Sequence, residues 1–362
     1  MACERVYNPR VRARAAVWLV PLLIASACAS VPPTSSCEQL GEFPGPEDFE
    51  PITRDGALTL LASARDRRSF DDQSRNGIWA IDWDSRAVTK LDMHGRDGCW
   101  LAPHGIAAAE VEPGRWELWT INHYQNEGRV PPDQPAHCQA LVHGIEHFRV
   151  EADGLHFIER LPDPAGLLTN PNELDALPDG RLWLSNNPPW VGGKGLAGDV
   201  LFKRAKGQVL HYSPEAGFSV AADRMVFPNG MHALPDGETL WVSAAHGLVY
   251  RLELDEQGHE RTREQLKVAK PKATLDNFLV SEGSLWVTGH PKGLAFVRHV
   301  KDERATSPTA AYRVALDGSS ERPEAVAYWA EGQVNGGATL LPVGDSFVLG
   351  PAFSEGLRVC GR

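Results

Sequence analysis

Polar residues suited to metal binding or acid–base chemistry stand at the start of six similar segments. Each segment continues as an apolar run, a turn and a second apolar run. The opening residues are Glu47, His104, Asn172, Asn229, Asn277 and Asn335, and Asp276 adds a second carboxylate beside Asn277. Carboxylate and amide oxygens are the ligands of Ca²⁺, which takes about six to eight of them. One Asn before Gly would be ordinary turn chemistry, but repeated Asn in matched positions indicates a shared site.

The segments that carry these residues form an internal repeat. The copy that begins at Asn172 runs Asn-Glu-Leu-Asp-Ala-Leu-Pro-Asp-Gly to Leu-Trp-Leu-Ser, and the copy at Asn229 runs Asn-Gly-Met-His-Ala-Leu-Pro-Asp-Gly to Leu-Trp-Val-Ser. Short apolar strands punctuated by Gly and Pro are typical of all-β proteins. A period of about 48 to 68 residues with four strands per copy predicts a β-propeller. Six copies predict six blades whose opening residues meet in a central channel.

The N-terminus predicts export. Four arginines precede an apolar run over residues 15–27, which is too short to span a bilayer and is typical of a signal peptide. The run ends Ile-Ala-Ser-Ala-Cys28, which resembles a bacterial lipobox with Cys28 as the lipidated residue; ordinary cleavage nearby is the alternative. We expect a signal peptide over 1–27, a linker over 28–45 and the propeller over 46–362. The protein would be a periplasmic or cell-envelope lipoprotein, or a secreted protein.

Charge restricts the partners. Removal of residues 1–27 takes away four arginines and one glutamate, which changes the net charge from −11 to −14. A chain this acidic repels nucleic acid and anionic lipid surfaces. We therefore expect no nucleic-acid partner and membrane contact only through the lipid anchor, whereas cation binding is compatible with the charge.

The cysteines predict disulfides. Four cysteines remain besides Cys3, in the signal segment, and Cys28: they are Cys37, Cys99, Cys138 and Cys360. An even number in an oxidising compartment predicts pairing, and three pairings are open. Cys37 and Cys360 lie near the two ends of the mature chain, which suggests a bond that closes the ring.

Seven short motifs together resemble the serum paraoxonase/arylesterase family, whose members are Ca²⁺-dependent lactonases on a six-bladed propeller. The similarity extends roughly from residue 37 to residue 360. The motifs are Gly45-Pro46-Glu47-Asp48, Pro103-His104-Gly105-Ile106, Asn122-His123, Pro171-Asn172-Glu173, Pro228-Asn229-Gly230, Asp276-Asn277 and His290-Pro291. Each motif alone is weak, and their order and spacing together carry the resemblance.

The resemblance implies two Ca²⁺ ions and a set of site residues. Glu47, Asn172, Asn229, Asp276 and Asn277 match the ligands of the catalytic ion, and Asp48, Glu173 and the Ile106 carbonyl match those of a buried structural ion. His104 and His123 match a histidine dyad proposed as general base, and His290 matches a histidine at the substrate rim. Cys37 and Cys360 match the disulfide that joins the ends of the ring.

Some positions depart from the family pattern. The family has Asp where this chain has Glu173, and the segment at Asn186-Asn187 lacks the family's Asp-His pair. Residues 125–143 resemble an insertion after His123. A bond between Cys99 and Cys138 would hold this insertion beside the channel.

The expected reaction is hydrolysis of a small lactone or aryl ester by a carboxylic ester hydrolase. A bound Ca²⁺ polarises a carbonyl and stabilises the oxyanion. Either His104, oriented by His123, or Glu47 would activate water, and the sequence does not choose between them. Two other functions remain open: a gluconolactonase-type hydrolase with one divalent ion, and a binding propeller in which Ca²⁺ has only a structural role.

Two further motifs match patterns of other enzyme classes but lack the structural context that those patterns require. His143-Gly-Ile-Glu146-His147 fits a zinc-protease string, but that chemistry needs a helix, and the flanking residues predict a strand. The run Gly193-Lys-Gly195-Leu-Ala-Gly198 fits a nucleotide-binding pattern without the strand–turn–helix that the pattern requires. No G-x-S-x-G motif occurs, which argues against a serine esterase of the α/β type.

Overall fold

The computed structural model describes residues 36–69, 74–125, 129–189, 198, 202–320 and 322–362. The predicted signal peptide and Cys28 lie outside the described residues, as does most of the glycine run at 193–198. No helix among the described residues combines the length and apolar character needed to cross a membrane.

In the described part of the chain, twenty-five strands form six sheets. Strand β1 (Cys37–Pro44) belongs to the last sheet. Blade 1 contains β2 (Pro46–Arg54), β3 (Ala57–Ala64), β4 (Gly77–Asp82) and β5 (Val88–Lys90). Blade 2 contains β7 (Pro103–Glu112), β8 (Arg115–His123), β9 (His143–Glu151) and β10 (Gly154–Arg160), with β6 (Met93–His94) added in parallel to β10. Blade 3 contains β11 (Pro171–Ala176), β12 (Leu182–Asn186), β13 (Gly207–Ser213) and β14 (Gly217–Met225).

Blade 4 contains β15 (Pro228–Ala233), β16 (Thr239–Ala244), β17 (Leu248–Leu254) and β18 (Glu260–Lys267). Blade 5 contains β19 (Thr274–Ser281), β20 (Ser284–His290), β21 (Thr309–Ala315) and β22 (Glu324–Trp329). Blade 6 contains β23 (Gly337–Val343), β24 (Ser346–Pro351), β25 (Glu355–Gly361) and β1. A helix, α1 (Gly293–Lys301), follows β20, and 3₁₀ turns occur at Ala136–Cys138 and Ala245–Gly247. The predicted all-β, six-bladed propeller is confirmed.

The recurring Trp of the sequence repeat builds the core between blades. Trp119, Trp183, Trp241 and Trp286 occupy equivalent positions on the second strand of blades 2 to 5 and are at most 2% exposed. Each packs in one apolar cluster with residues of the following blade. Truncation of such a Trp to Ala typically costs about 3–5 kcal/mol. Trp therefore recurs in the sequence because each blade uses one to pack against the next blade.

The two ends of the chain close the ring in blade 6. Strand β1 pairs antiparallel with β25, and Cys37 lies opposite Cys360 in a disulfide with a Cα–Cα distance of 4.2 Å. The inner strand β23 of blade 6 also contacts the inner strand β2 of blade 1. The predicted closure by terminal strands and this disulfide is confirmed. Residues 37–44, which the sequence assigned to a linker, are part of the ring.

All six blades share one orientation at the channel. The first residue of each inner strand pairs with the last residue of the second strand, as Pro46 does with Ala64 and Pro171 with Asn186. The same holds for the blades that begin at Pro228, Thr274 and Gly337, and in blade 2 Pro103 pairs with Asn122, one residue before the end of β8. We call this end of the channel the mouth. It is the end at which the polar opening residues were expected.

Candidate active site

An irregularity near the start of every inner strand directs polar residues towards the channel. The strand register shifts between Pro46 and Asp48, between Pro171 and Leu174, and at the corresponding points of the other four inner strands. A bulge re-aims a side chain and ends regular pairing. Proline is tolerated as the first residue of a strand, where no ladder donor is required. The repeated Pro-polar motif thus marks a bulge at the mouth.

Glycines next to the polar residues let neighbouring inner strands approach closely. A Cβ on Gly105 would lie 2.7 Å from the Asn172 carbonyl oxygen and 2.8 Å from the Glu173 Cα. A Cβ on Gly230 would lie 2.6 Å from the Phe278 nitrogen. Any larger residue would push the blades apart here. The glycines after His104 and Asn229 are therefore required for the polar residues of adjacent blades to meet.

Asn229, Asp276 and Asn277 form one oxygen-rich group at the mouth. Asn229 Nδ2 donates to Asp276 Oδ1 at 2.8 Å, and Asp276 Oδ2 lies 2.8 Å from His290 Nε2. Asn277 Nδ2 donates to Thr339 Oγ1 at 3.1 Å. The amide oxygens Oδ1 of both Asn229 and Asn277 are buried without any hydrogen-bond partner. Burial raises the pKa of Asp276, against the opposing effect of His290.

Glu47 completes the group from blade 1. Its carboxylate pairs with Arg67 and lies 2.7 Å from His104 Nε2, which is also 3.4 Å from Asn172 Nδ2. Burial alone would raise the pKa of Glu47, but the positive charge of Arg67 and the contact with His104 outweigh it and lower the pKa to about 2. Glu47 is therefore a carboxylate at neutral pH, and the structure brings it together with Asn172 and His104 as the sequence predicted.

Three histidines, rather than two, form a row from the mouth into blade 2. His104 Nδ1 lies 2.7 Å from His123 Nε2, and His123 Nδ1 lies 2.7 Å from His143 Nδ1. Burial lowers the pKa of His123 well below 6.5, and burial together with the charge of Arg65 lowers that of His143 to about 4. Both are therefore neutral at pH 7, which suits proton exchange along the row. The sequence missed this position of His143, which follows from its pairing opposite His123.

The remaining residues of the zinc-protease string have separate partners. Glu146 is fully buried and accepts hydrogen bonds from Arg96 at 2.8 and 2.9 Å. His147 lies 2.7 Å from Glu117 and stacks on Trp119. The string lies on strand β9, as the flanking residues predicted, and its three polar side chains enter different environments.

Asp48 and Glu173 meet below the mouth and are both buried. Asp48 Oδ2 accepts a hydrogen bond from the Ile106 N–H at 2.8 Å, and the two carboxyl groups lie close enough to influence each other's pKa. Burial raises the pKa of Asp48 to about 7, and burial together with the Asp48 charge raises that of Glu173 well above its ordinary value. Glu173 Oε2 has no hydrogen-bond partner. Ile106 reaches Asp48 through its N–H, whereas the sequence predicted a role for its carbonyl.

Thr339, not Asn335, is the residue of blade 6 that contacts the site. Asn335 precedes β23, and its Oδ1 accepts the N–H groups of Ser307 at 3.0 Å and Gly332 at 3.2 Å, so it orders a loop. The expectation that Asn335 lines the channel is wrong, because its side chain already serves as a turn acceptor. The Thr339 hydroxyl lies 3.0 Å from Asp48 Oδ1 and 2.7 Å from the Glu47 carbonyl oxygen. It links the two groups of the site.

His290 and Asn187 occupy positions that the sequence described differently. His290 is 3% exposed, contacts Asp276 and stacks on Phe296 at 3.8 Å between ring centroids. It thus supports a site carboxylate rather than standing free at the rim. Asn187 donates to the Pro228 carbonyl at 3.2 Å. This amide therefore links blade 3 to the start of blade 4, at a point where the family has its Asp-His pair.

A second disulfide fastens the segment that follows His123, which the sequence predicted to be an insertion, to blade 2. Cys99 and Cys138 are bonded, with Cα atoms 5.7 Å apart, and cluster with the buried ring of Tyr124. Gln134 Oε1 accepts the Trp100 N–H at 2.8 Å, which joins the same two segments. The predicted bond between Cys99 and Cys138 is confirmed, and it anchors the insertion directly after the histidine row.

The chemistry of the donors fits hard cations. Three buried oxygens without partners belong to residues predicted as ligands: Asn229 Oδ1, Asn277 Oδ1 and Glu173 Oε2. An orphaned buried polar atom is costly and requires an explanation such as an ion. Buried carboxylates with raised pKa values are groups that a bound cation would hold ionised. The donor set is oxygen-rich, as Ca²⁺ prefers.

Comparison with known proteins supports the resemblance. The family model described as Arylesterase matches residues 198–358, so the resemblance is confirmed over that part of the chain. No curated protein sequence matches the chain. Similar solved structures include a gluconolactonase from Xanthomonas campestris, with a TM-score of 0.52, 16% identity and coverage of 90% of this chain and 89% of that one. At such identity the likeness concerns the fold alone.

Two other solved structures show the same fold. A luciferin-regenerating enzyme has a TM-score of 0.55 at 14% identity and covers 90% of this chain and 95% of its own. Regucalcin from Agrobacterium tumefaciens, described as a calcium-binding protein, has a TM-score of 0.52 at 14% identity and covers 91% of this chain and 96% of its own.

Proposed function

We propose that this chain, whose residues 198–358 match the arylesterase family, is a calcium-dependent hydrolase of lactones and aryl esters. One observation carries the proposal most directly. Asn229 and Asn277 each bury an amide oxygen without a partner beside the Asp276 carboxylate, at the mouth of a propeller channel. Two of the similar structures are a gluconolactonase and a calcium-binding protein, which agrees with this chemistry.

Two groups of residues would hold Ca²⁺. Glu47, Asn172, Asn229, Asp276 and Asn277 would hold the ion of the active site. Asp48, Glu173 and the carbonyl of Ile106 would hold a structural ion, with the Thr339 hydroxyl linking the two groups. When bound at the mouth, Ca²⁺ supplies a Lewis acid that polarises a substrate carbonyl and stabilises an oxyanion.

The histidine row would handle the proton of the attacking water. His104 accepts the proton at Nε2, and His123, 2.7 Å from its Nδ1, fixes the orientation of the ring. His143, held neutral at neutral pH, fixes His123 in turn. Glu47, 2.7 Å from His104 Nε2, stabilises the imidazolium that forms or competes for the same proton. Because the pKa of Glu47 is lowered to about 2, its carboxylate is a weak base.

The test is hydrolysis of phenyl acetate and a panel of γ- and δ-lactones, first with Ca²⁺ and then with excess EGTA. We expect EGTA to abolish turnover and Asp276→Asn to reduce kcat/KM by at least about 100-fold, because weaker binding of the ion removes the group that would stabilise the oxyanion. Asp84→Asn, an exposed change of the same charge, is the control and should retain full activity.

Two results would reject the proposal. Turnover that persists in EGTA would refute the calcium mechanism. If no substrate is hydrolysed while Ca²⁺ still raises the Tm, a calcium-stabilised binding propeller becomes the better interpretation.

A further inference from the structure

Three arginines follow strand β3 at the mouth, and two of them have protein partners. Arg67 pairs with Glu47, and Arg68 donates to the Phe353 carbonyl at 2.5 Å. Arg65 is only 8% exposed, and its Nε, like the Nε of Arg68, is buried without a hydrogen-bond partner. No residue in the part of the chain that the structure describes forms an ion pair with it.

The nearby acids Glu47 and Asp66 raise the pKa of Arg65 against the effect of burial, but neither forms an ion pair with it. Asp66, its neighbour along the chain, uses Oδ1 to accept the N–H groups of Arg68 and Ser69 at 2.9 Å. Glu47 is already shared between Arg67 and His104. Ca²⁺ bound beside Glu47 would engage that carboxylate further and would add positive charge. The Arg65 guanidinium therefore lies at the mouth without an ion-pair partner among the described residues.

Arg65 lies beside the reacting groups. It follows Ala64, which pairs with Pro46, the residue before Glu47. After burial, its positive charge is the strongest influence that lowers the pKa of His143, and it also lowers that of His123. Burial lowers the pKa of Arg65 itself to about 10, so the group remains charged at neutral pH.

An unpaired buried charge destabilises a fold. Such a group persists when it serves function at the expense of stability. A guanidinium presents a planar fork that matches a carboxylate in a bidentate arrangement. A phosphate group is more often held by several cations and backbone N–H groups together, whereas the partners of Arg67 and Arg68 leave only one guanidinium available here.

We propose that Arg65 binds a carboxylate of the substrate, so that the preferred substrates are lactones or esters that carry a carboxylate close to the scissile carbonyl. This inference rests on the proposed function and assigns its substrate class. Arg65 would orient the substrate through its charge, while the groups at the mouth act on the carbonyl.

Two matched substrates test the assignment: γ-butyrolactone with a carboxylate on the γ carbon, and the same lactone with a carboxamide there. The wild-type protein should prefer the carboxylate by about 10- to 100-fold in kcat/KM, as expected for one charge-assisted contact. Arg65→Met should bring this ratio to within about 3-fold of unity. Arg65→Lys should retain part of it, because the charge stays and the fork is lost. Arg261→Met, an exposed change on β18, should leave the ratio unchanged.

Stability separates a binding role from a structural one. Removal of an unpaired buried charge should leave the Tm of the unliganded Arg65→Met variant unchanged or raise it by about 1–2 °C. A substrate ratio that survives in Arg65→Met would overturn the proposal. So would a lost ratio accompanied by a Tm lowered by more than about 5 °C, because Arg65 would then serve folding.

Calorimetric measurement of glutarate binding in the presence of Ca²⁺ distinguishes a failure of the proposed function from a failure of the proposed carboxylate site. If the protein hydrolyses no lactone or ester but binds glutarate in a manner that Arg65→Met abolishes, the proposed function fails and the carboxylate site stands. If the wild-type protein hydrolyses neutral lactones with a ratio near unity, the carboxylate site fails and the proposed function stands.

Discussion

The buried pair of Asp48 and Glu173 gives a quantitative prediction for the metal-free protein. Burial raises the pKa of Asp48 from 3.8 to about 7. An acid with a raised pKa in the folded state binds its proton more tightly there than in the unfolded chain. Stability from this group is therefore present at low pH and is lost as the pH rises from about 4 to about 7.

The magnitude follows from linkage. Each pKa unit corresponds to about 1.4 kcal/mol, so Asp48 should lower the free energy of unfolding by about 3 kcal/mol between pH 5 and pH 8. Histidines with lowered pKa values, such as His123, change stability in the opposite direction over part of this range. Comparison with Asp48→Asn cancels their contribution, because the histidines titrate in both proteins.

The assay is urea unfolding with the disulfides intact, at pH 5 and pH 8, in EGTA and in Ca²⁺. In EGTA, wild type should lose at least about 3 kcal/mol relative to Asp48→Asn between the two pH values. Loss of the Asp48 charge also lets the pKa of Glu173 fall, which adds to the difference. In Ca²⁺ the wild-type loss should disappear, since the ion holds the carboxylates ionised. A pH-independent difference between the two proteins in EGTA would refute the reasoning.

Three further predictions address the ring, the link between the two groups of oxygens and the histidine row. Cys37→Ser should cost about 6 kcal/mol and Cys99→Ser about 4 kcal/mol in urea unfolding, because the disulfides close loops of 323 and 39 residues; equal losses would contradict the chain-entropy argument. Thr339→Val should lower the free energy of unfolding by about 1–3 kcal/mol through lost hydrogen bonds, and Thr339→Ser should restore most of it; an unaffected Val variant would contradict the linking role. His143→Ala should lower kcat by about 3- to 10-fold and His123→Ala by about 100-fold, with KM nearly constant; a change confined to KM in either variant would place the row in substrate binding.

The sequence determined the architecture, because the physical signals of a propeller are local. Trp183 and Trp241 follow Asp-Gly turns by three and four residues. Gly180 and Gly237 adopt the left-handed conformation that those turns require, with φ of 83° and 71°. Each Trp packs on the next blade, so a periodic sequence produces a periodic core. The same regularity identified the polar residues at the start of five inner strands.

Partners across blades could not be found from the sequence. Asn335 occupies the expected place in the repeat, yet Thr339 reaches the site, because a register shift between Gly337 and Thr339 offsets the start of β23. The sequence associated His143 only with a zinc-protease string that the predicted strand argued against, and strand pairing places it opposite His123. These contacts arise only when the ring closes and strands from different blades converge.

Arg65 illustrates why the sequence predicted the fold but not the contacts between residues of different blades. Arg65 lies in a run of charged residues after β3, and such a run is typical of an exposed loop. Only tertiary structure reveals that its neighbours Arg67 and Arg68 have protein partners while Arg65 is buried without one. Hydrophobic period and turn chemistry are properties of short segments and can be read along the chain. Burial and charge pairing depend on residues hundreds of positions apart, and only the folded ring brings them together.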